Sequence, residues 1–164
     1  MSGLPGTGKT ALAKELAKRL KAAYVRADTI EQALLESGEI SKRDMKACGY
    51  YAGYALAREN LSLGVSVVAD SVNPLNITRD AWKAAADGSN VVVVEIECVC
   101  SDAEEHKRRV ESRVSDIPHL VLPTWQQVLD RFYEPWPRDR LVIDTAKLSV
   151  EEAADFVQPF PLQA

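Results

Sequence analysis

The stretch Gly3-Leu4-Pro5-Gly6-Thr7-Gly8-Lys9-Thr10 decides the reading of this chain. It matches the pattern G-x-x-x-x-G-K-[ST] in full, and a helical apolar stripe follows it directly. Its glycines permit backbone conformations closed to other residues, so that successive N–H groups turn inward toward phosphate oxygens. Lys9 adds a movable positive charge, and Thr10 places a hydroxyl where Mg²⁺ bridging terminal phosphates would sit. The helix opening there turns the positive end of its dipole toward the same anion. With glycine near 7% of average composition, a chance match in a chain of this length is on the order of one in a hundred or rarer, which argues against an ordinary glycine-rich turn. Gly3, Leu4, Pro5, Gly6, Thr7, Gly8, Lys9 and Thr10 are thus the expected nucleotide-binding residues.

Outward from the loop, helical and extended patterns alternate. Leu12, Leu16 and Leu20 recur at i, i+4, i+8 on a helix to about Lys21. Ala22–Ala27 is a short strand ending at Asp28, and Asp28-Thr-Ile-Glu31 has capping-box spacing for a helix that Gly38 stops. Ser41 is expected to cap a longer helix to about Leu63-Gly64. Val65–Ala69 is an apolar run of strand length that delivers Asp70 to its end, followed by a loop through Asn73-Pro74 and a helix through Trp82. Val91–Cys98 (VVVVEIEC) is the strongest strand pattern in the chain. Ser101-Asp-Ala-Glu104 reads as a second capping box, opening a helix to about Val114. Pro118 and Pro123 break the chain. A helix from Thr124 should turn Trp125, Val128, Leu129 and Phe132 inward, before a strand at Leu141–Ile143 and a last helix capped by Ser149. This alternation predicts an α/β fold, a parallel sheet with helices on both faces and ligands at the carboxyl ends of the strands.

Composition bounds the function. At 164 residues the chain has the length of one domain, about 100–200 residues. A hydrophobic fraction of 46% with 27% charged residues supports a core and excludes disorder. No apolar run approaches the roughly 20 residues of a membrane span, and no signal-like segment opens the chain, so a cytoplasmic protein is expected. The net charge of −4 argues against nonspecific attraction to nucleic acid or anionic lipid, so phosphate must be bound locally. Cys48, Cys98 and Cys100 have neither disulfide nor zinc-ligand spacing and read as buried apolar residues.

One part of the motif's usual context is missing. The loop normally follows a buried strand, and only Met1 and Ser2 precede Gly3. That strand is central in such a sheet, so its absence is expected to leave neighbours unpaired and a groove in the core. A start placed too late, or a truncated copy, is the expected cause.

The chain resembles the P-loop kinases acting on small molecules or polynucleotide ends, the group containing gluconate kinase, chloramphenicol phosphotransferase, zeta toxins and polynucleotide kinase. The resemblance covers most of the chain; GLPGTGKT is its specific motif, and order and spacing carry the rest. It implies a three-layer α/β/α P-loop NTPase fold in a single domain, residues 1–164, with acceptor-side helices at about 29–62 and a lid at about 106–124. It implies ATP and Mg²⁺ as cofactors, a small-molecule acceptor as partner, and transfer of the γ-phosphoryl group to an acceptor hydroxyl. Lys9 would act on the phosphates. Asp28, in VRADTIEQAL, would be the general base, a role that stands beside its reading as a helix cap. Asp70 would lie near Mg²⁺ or acceptor, making Thr10 and Asp70 the metal candidates. Asn73 and Arg79 would line the same pocket, although loop and surface readings suit them better. The family's lid arginines would be Arg109 and Arg113, at i, i+4 on one helical face, with Arg108 turned to solvent beside Glu105 and Glu111. Thr145-Ala146-Lys147 would touch adenine.

His106, on the apolar side of that helix, reads as a packed residue. Trp125, Phe132, Tyr133 and Trp136 read as core, and Tyr50, Tyr51 and Tyr54 hint at an aromatic or sugar-like acceptor. A polynucleotide 5′-hydroxyl kinase is the alternative within enzymes, disfavoured by the acidic charge. The rival from another class is a nucleotide-binding module or decayed copy without turnover, supported by the missing strand.

Overall fold

The computed structural model describes residues 1–157; residues 158–164 of the expected unit lie outside it. The elements follow as α1 (Lys9–Leu20), β1 (Ala23–Arg26), α2 (Ala27–Glu36), α3 (Cys48–Ser62), β2 (Val67–Asp70), α4 (Asn76–Ala84), β3 (Ile96–Val99), α5 (Ala103–Ser112), α6 (Trp125–Leu129), β4 (Leu141–Asp144) and α7 (Val150–Val157). This is a P-loop NTPase-like α/β fold, and every strand pair is parallel.

β1 pairs with β2 and β3 pairs with β4, with Val25 opposite Ala69 and Cys98 opposite Ile143. Between these two ribbons runs the segment Met1–Gly3. Ser2 donates its N–H to Ile96 O at 2.7 Å and accepts from Cys98 N at 2.9 Å, while the Met1 amine donates to Ala69 O at 2.8 Å. Gly3 then leaves the sheet at the carboxyl ends of β2 and β3, donating to Val72 O at 3.2 Å. These bonds set β1, β2, the Met1–Gly3 stub, β3 and β4 side by side. α1 packs against α7 and β2, and α3 against α2, β1 and β2. Leu12, Ala13, Leu16, Ile143, Ala153 and Ala154 are nearly inaccessible and form the main core, as the helical stripe of α1 requires.

Several local expectations are corrected. Asp28 does not cap α2: the helix already includes Ala27, Arg26 is the cap residue, and no side chain bonds there. Asp28 still lies in the first turn, where its charge suits the dipole. Ser41 closes only one turn over Asp44, because Lys46 takes a left-handed φ of 43° and delays α3 to Cys48. α5 is capped by Asp102, whose carboxylate accepts from Glu105 N at 3.0 Å, and not by Ser101.

The strongest strand pattern is also the one most cut back. Val91–Glu95 form no strand, and β3 begins at Ile96, where Ser2 and β4 both supply ladder partners, while Glu95 O accepts from Leu141 N at 2.9 Å. Propensity without a neighbouring strand leaves the ladder unformed. α6 is brief and ends at Leu129, so Leu129 and Phe132 are mostly exposed and Val128 alone of that expected face is fully buried. Thr124 and Gln127 close a capping box there, as Ser149 and Glu152 do at α7. Among the described residues no helix is long and apolar enough to cross a membrane.

Candidate active site

The loop from Gly3 to Gly8 lies at the carboxyl ends of the strands, and its glycines are needed where they stand. Gly3 has φ 142°, and a Cβ there would come within 2.4 Å of Cys98 O. Gly6, at φ 86°, would press a Cβ to 2.5 Å from Val110 of α5. Gly8 caps α1 in the left-handed region without a side-chain acceptor, so the first N–H groups of the helix stay open to an anion. The loop is braced from within by Thr7, whose hydroxyl donates to Leu4 O at 2.8 Å.

Two outside contacts fix it further. His106 Nε2 lies 2.8 Å from Pro5 O, and its ring meets Trp125 edge-on at 5.1 Å. Thr145, just past β4, donates to Thr7 O at 3.0 Å and packs against the space a Gly8 side chain would need. The expected packed histidine is therefore buried against the phosphate loop itself. Thr145 also binds Arg109, which reaches its hydroxyl at 2.8 Å and its carbonyl at 3.0 Å.

A cavity of about 190 Å³ opens over the loop, lined by Gly6, Gly8, Lys9, Thr10, Arg109 and Arg113. Lys9, Thr10 and both expected arginines thus share one space. Arg109 is held by Glu105 at 2.7 Å, whereas Arg113 makes no ion pair or side-chain hydrogen bond among the described residues. Burial pushes the Arg113 pKa below its ordinary value, and its Nε is buried without an acceptor. Arg108 points to solvent, paired with Glu105 through two 2.7 Å bonds.

Beside this cavity, the ends of β1 and β2 gather a second group. Tyr24 donates to Asp70 Oδ2 at 2.7 Å, and Arg26 lies 3.9 Å from the same carboxylate and 3.8 Å from Asp28. Arg26 also bonds Asp116 at 2.9 Å, and Lys14 reaches Asp116 from α1. Partial burial opposes ionisation of Asp116, but those two cations hold it down at about 2. Asp28 is about one-third exposed, with Arg113 and Arg26 in electrostatic reach of one another around it. Glu31, one turn along α2, is pushed up to about 7 by burial and then by Asp28.

Tyr24, Arg26 and Asp116 escaped the sequence reading. Tyr24 and Arg26 stand two apart on a strand that ends at the expected base, a spacing that puts both on one face. Nothing local marks Asp116, which arrives from 90 residues away.

Asp70 is 1% exposed, and among the described residues its Oδ1 has no hydrogen-bond partner. An orphaned buried carboxylate oxygen beside a phosphate loop fits a divalent cation. Among the described residues no cluster of three or more His, Cys, Asp or Glu could hold a metal. Mg²⁺, which keeps waters and substrate phosphates as ligands, does not need one.

Arg79 is corrected from surface to core. It is 2% exposed, donates to Asn73 O at 2.9 Å and Glu134 O at 2.9 Å, and lies over the Tyr133 and Trp136 rings at 4.7 and 4.2 Å. Carbonyls and rings replace the solvent it gives up. Asn73 is buried too, with Nδ2 on Met1 O at 3.2 Å. Of the tyrosines, Tyr54 packs on Trp82, Tyr50 accepts from Asn73 N at 3.3 Å, and Tyr51 alone is largely exposed.

The fold is similar to that of the APS kinase CysC of Mycobacterium tuberculosis in complex with AMPPNP and APS, at 19% identity and TM-score 0.71 over 96% of this chain and 92% of that one. It is similar to Kti12 of Chaetomium thermophilum in complex with ADP-AlF3, at 20% identity and TM-score 0.70 over 99% of this chain and 97% of that one. A sugar kinase from Janibacter sp. HTCC2649 is 18% identical with TM-score 0.68, covering 97% and 90%. No curated protein sequence matches the chain. The model of the AAA_33 family, an AAA domain, matches residues 1–135, and the chain belongs to that family.

Proposed function

We propose that this chain is an ATP-dependent kinase that transfers the γ-phosphoryl group of ATP to a hydroxyl of a small-molecule acceptor in the cytoplasm. The observation that carries this reading is the single cavity where Lys9, Thr10, Arg109 and Arg113 surround the open start of α1, with Asp28 beside it. A loop that merely bound phosphate needs no arginine pair over it and no carboxylate at its flank.

In this reading the N–H groups of the loop and Lys9 hold the β- and γ-phosphates. Mg²⁺ would be held by Thr10 and Asp70, where it supplies charge neutralisation on the phosphates. Asp28 accepts the proton of the acceptor hydroxyl as its oxygen bonds to the γ-phosphorus. The bond from that phosphorus to the β,γ-bridging oxygen breaks, and ADP leaves with the electron pair. Arg109 and Arg113 meet the charge that builds on the transferring group and on the leaving oxygen. α2 and α3 would flank the acceptor, and Thr145-Ala146-Lys147 would border the adenine.

Consumption of ATP across a panel of sugars, nucleosides and aminoglycosides tests the reading, with Lys9→Ala as the control that should lose Mg-ATP binding or turnover while keeping its fold. Binding without consumption by any acceptor would favour the second reading, a nucleotide-binding module without turnover.

A further inference from the structure

The carboxylate of Asp70 is committed through one oxygen only. Tyr24 donates its hydroxyl to Oδ2 at 2.7 Å, and Arg26 Nε stands 3.9 Å from the same atom, beyond hydrogen-bond length. Oδ1 accepts nothing among the described residues, although Asp70 is almost wholly buried. A buried carboxylate oxygen left bare costs stability, so the free Oδ1 calls for a function.

The strand register produces this division. β1 runs parallel to β2 with Tyr24 opposite Val68 and Arg26 opposite Asp70, so Tyr24, Arg26 and Asp70 share one face of the sheet. Arg26 is drawn away from Asp70: its Nη1 donates to the two oxygens of Asp116 at 2.9 and 3.0 Å. Tyr24 has no such rival. It packs against the main core, which fixes where its hydroxyl stands, and a phenol is a donor at neutral pH. Asp70 itself ends β2 beside the phosphate loop, where Gly3 donates to Val72 O at 3.2 Å and the Cys98 thiol lies within electrostatic reach of both Asp70 and Lys9.

We propose that Tyr24 is a positioning residue for the metal: through Oδ2 it holds the Asp70 carboxylate in one orientation and keeps Oδ1 for the Mg²⁺ of a bound nucleotide. This rests on the reading of Asp70 as a metal residue and extends it to a side chain that touches neither metal nor phosphate. Without the Tyr24 hydroxyl the carboxylate is free to turn, and Arg26 is near enough to pair with it and compete for the same oxygens. Partners that orient a ligating carboxylate are worth about 10–100-fold in metal affinity.

The test uses Mn²⁺ in place of Mg²⁺ and the non-hydrolysable ATP analogue AMPPNP, held below the protein concentration so that the nucleotide is bound. The paramagnetic resonance of free Mn²⁺ gives metal affinity, and calorimetry in EDTA gives nucleotide affinity without metal. Tyr24→Phe keeps the ring and loses only the hydroxyl. Its Mn²⁺ affinity should fall about tenfold or more, with AMPPNP affinity in EDTA at the wild-type level. Asp70→Asn should lose at least as much, and the double variant no more than Asp70→Asn alone, because Tyr24 acts through that carboxylate. Wild-type Mn²⁺ affinity in Tyr24→Phe beside a defective Asp70→Asn would overturn the proposal and leave the metal reading of Asp70 standing. Wild-type affinity in Asp70→Asn, or a wild-type protein that binds no Mn²⁺, overturns both. Equal losses with and without metal, or a double variant weaker than Asp70→Asn, would show that Tyr24 supports the fold and not the carboxylate. No arm depends on turnover, so the outcome is the same for a kinase and for a binding module.

Discussion

His106 Nε2 sits 2.8 Å from the carbonyl oxygen of Pro5, which ties helix α5 to the backbone of the phosphate loop. The ring is 8% exposed, and the neighbouring Val110 closes on Gly6. His106→Ala should therefore loosen the loop without touching any group that faces phosphate. Affinity for Mg-ATP should fall about tenfold, roughly 1.4 kcal/mol, the scale of one lost buried hydrogen bond. Isothermal titration measures it, and wild-type affinity in the variant would show that the loop holds its shape unaided.

The arginines of α5 separate by direction. Arg109 and Arg113 line the cavity, while Arg108 is spent on Glu105 at the surface. Arg109→Ala and Arg113→Ala should each lower kcat by about 10²-fold, the cost of one donor to a developing charge, with a smaller loss of nucleotide affinity. Arg108→Ala should leave both near wild type. Steady-state kinetics on the three variants decides the matter, and equal effects at all three would mean that the lid acts through stability.

Asp28 is the expected proton acceptor and makes no helix cap, so its removal has little structural cost. Asp28→Asn should abolish acceptor phosphorylation and keep Mg-ATP binding. Titration beside turnover reads both, and a fully active Asn variant would take the base role away from this residue.

Glu31 makes stability depend on pH. Its folded pKa of about 7 lies above the 4.5 of the ordinary group, so the native state holds the proton more tightly. Its contribution is fully present below about pH 4.5 and is lost as pH rises toward 7. Discounted for partial exposure, the loss is about 1 kcal/mol, or about 2–4 °C in melting temperature. Glu31→Gln should remove that much of the decline between pH 5 and 8. Parallel melting slopes for wild type and variant would contradict this.

The phosphate loop was legible because its chemistry is written in adjacent residues: glycine conformations, one lysine and one hydroxyl at fixed spacing. The alternation of helix and strand was legible for a similar reason, since Leu12, Leu16 and Val67–Ala69 carry their periods locally. Arg79 was not, because a guanidinium reads as solvated until the 133–136 segment folds over it with rings and carbonyls. Arg26 gains its meaning from Asp116 and Asp70, which only the folded chain brings near. Val91–Val94 misled in the opposite sense: their side chains suit a strand, but a strand also requires a neighbour at hydrogen-bonding distance.

The edge-on contact between His106 and Trp125 has an optical consequence. The chain has three tryptophans, and the other two stand away from the phosphate loop, Trp82 against Tyr54 and Trp136 against Arg79. Trp125 alone touches a ring that touches the loop, so any ligand that shifts Pro5 alters the surroundings of this indole. With Trp82 and Trp136 replaced by Phe, the emission of the remaining indole becomes an intrinsic signal for loop occupancy, legible in a stopped-flow trace without a label on either partner.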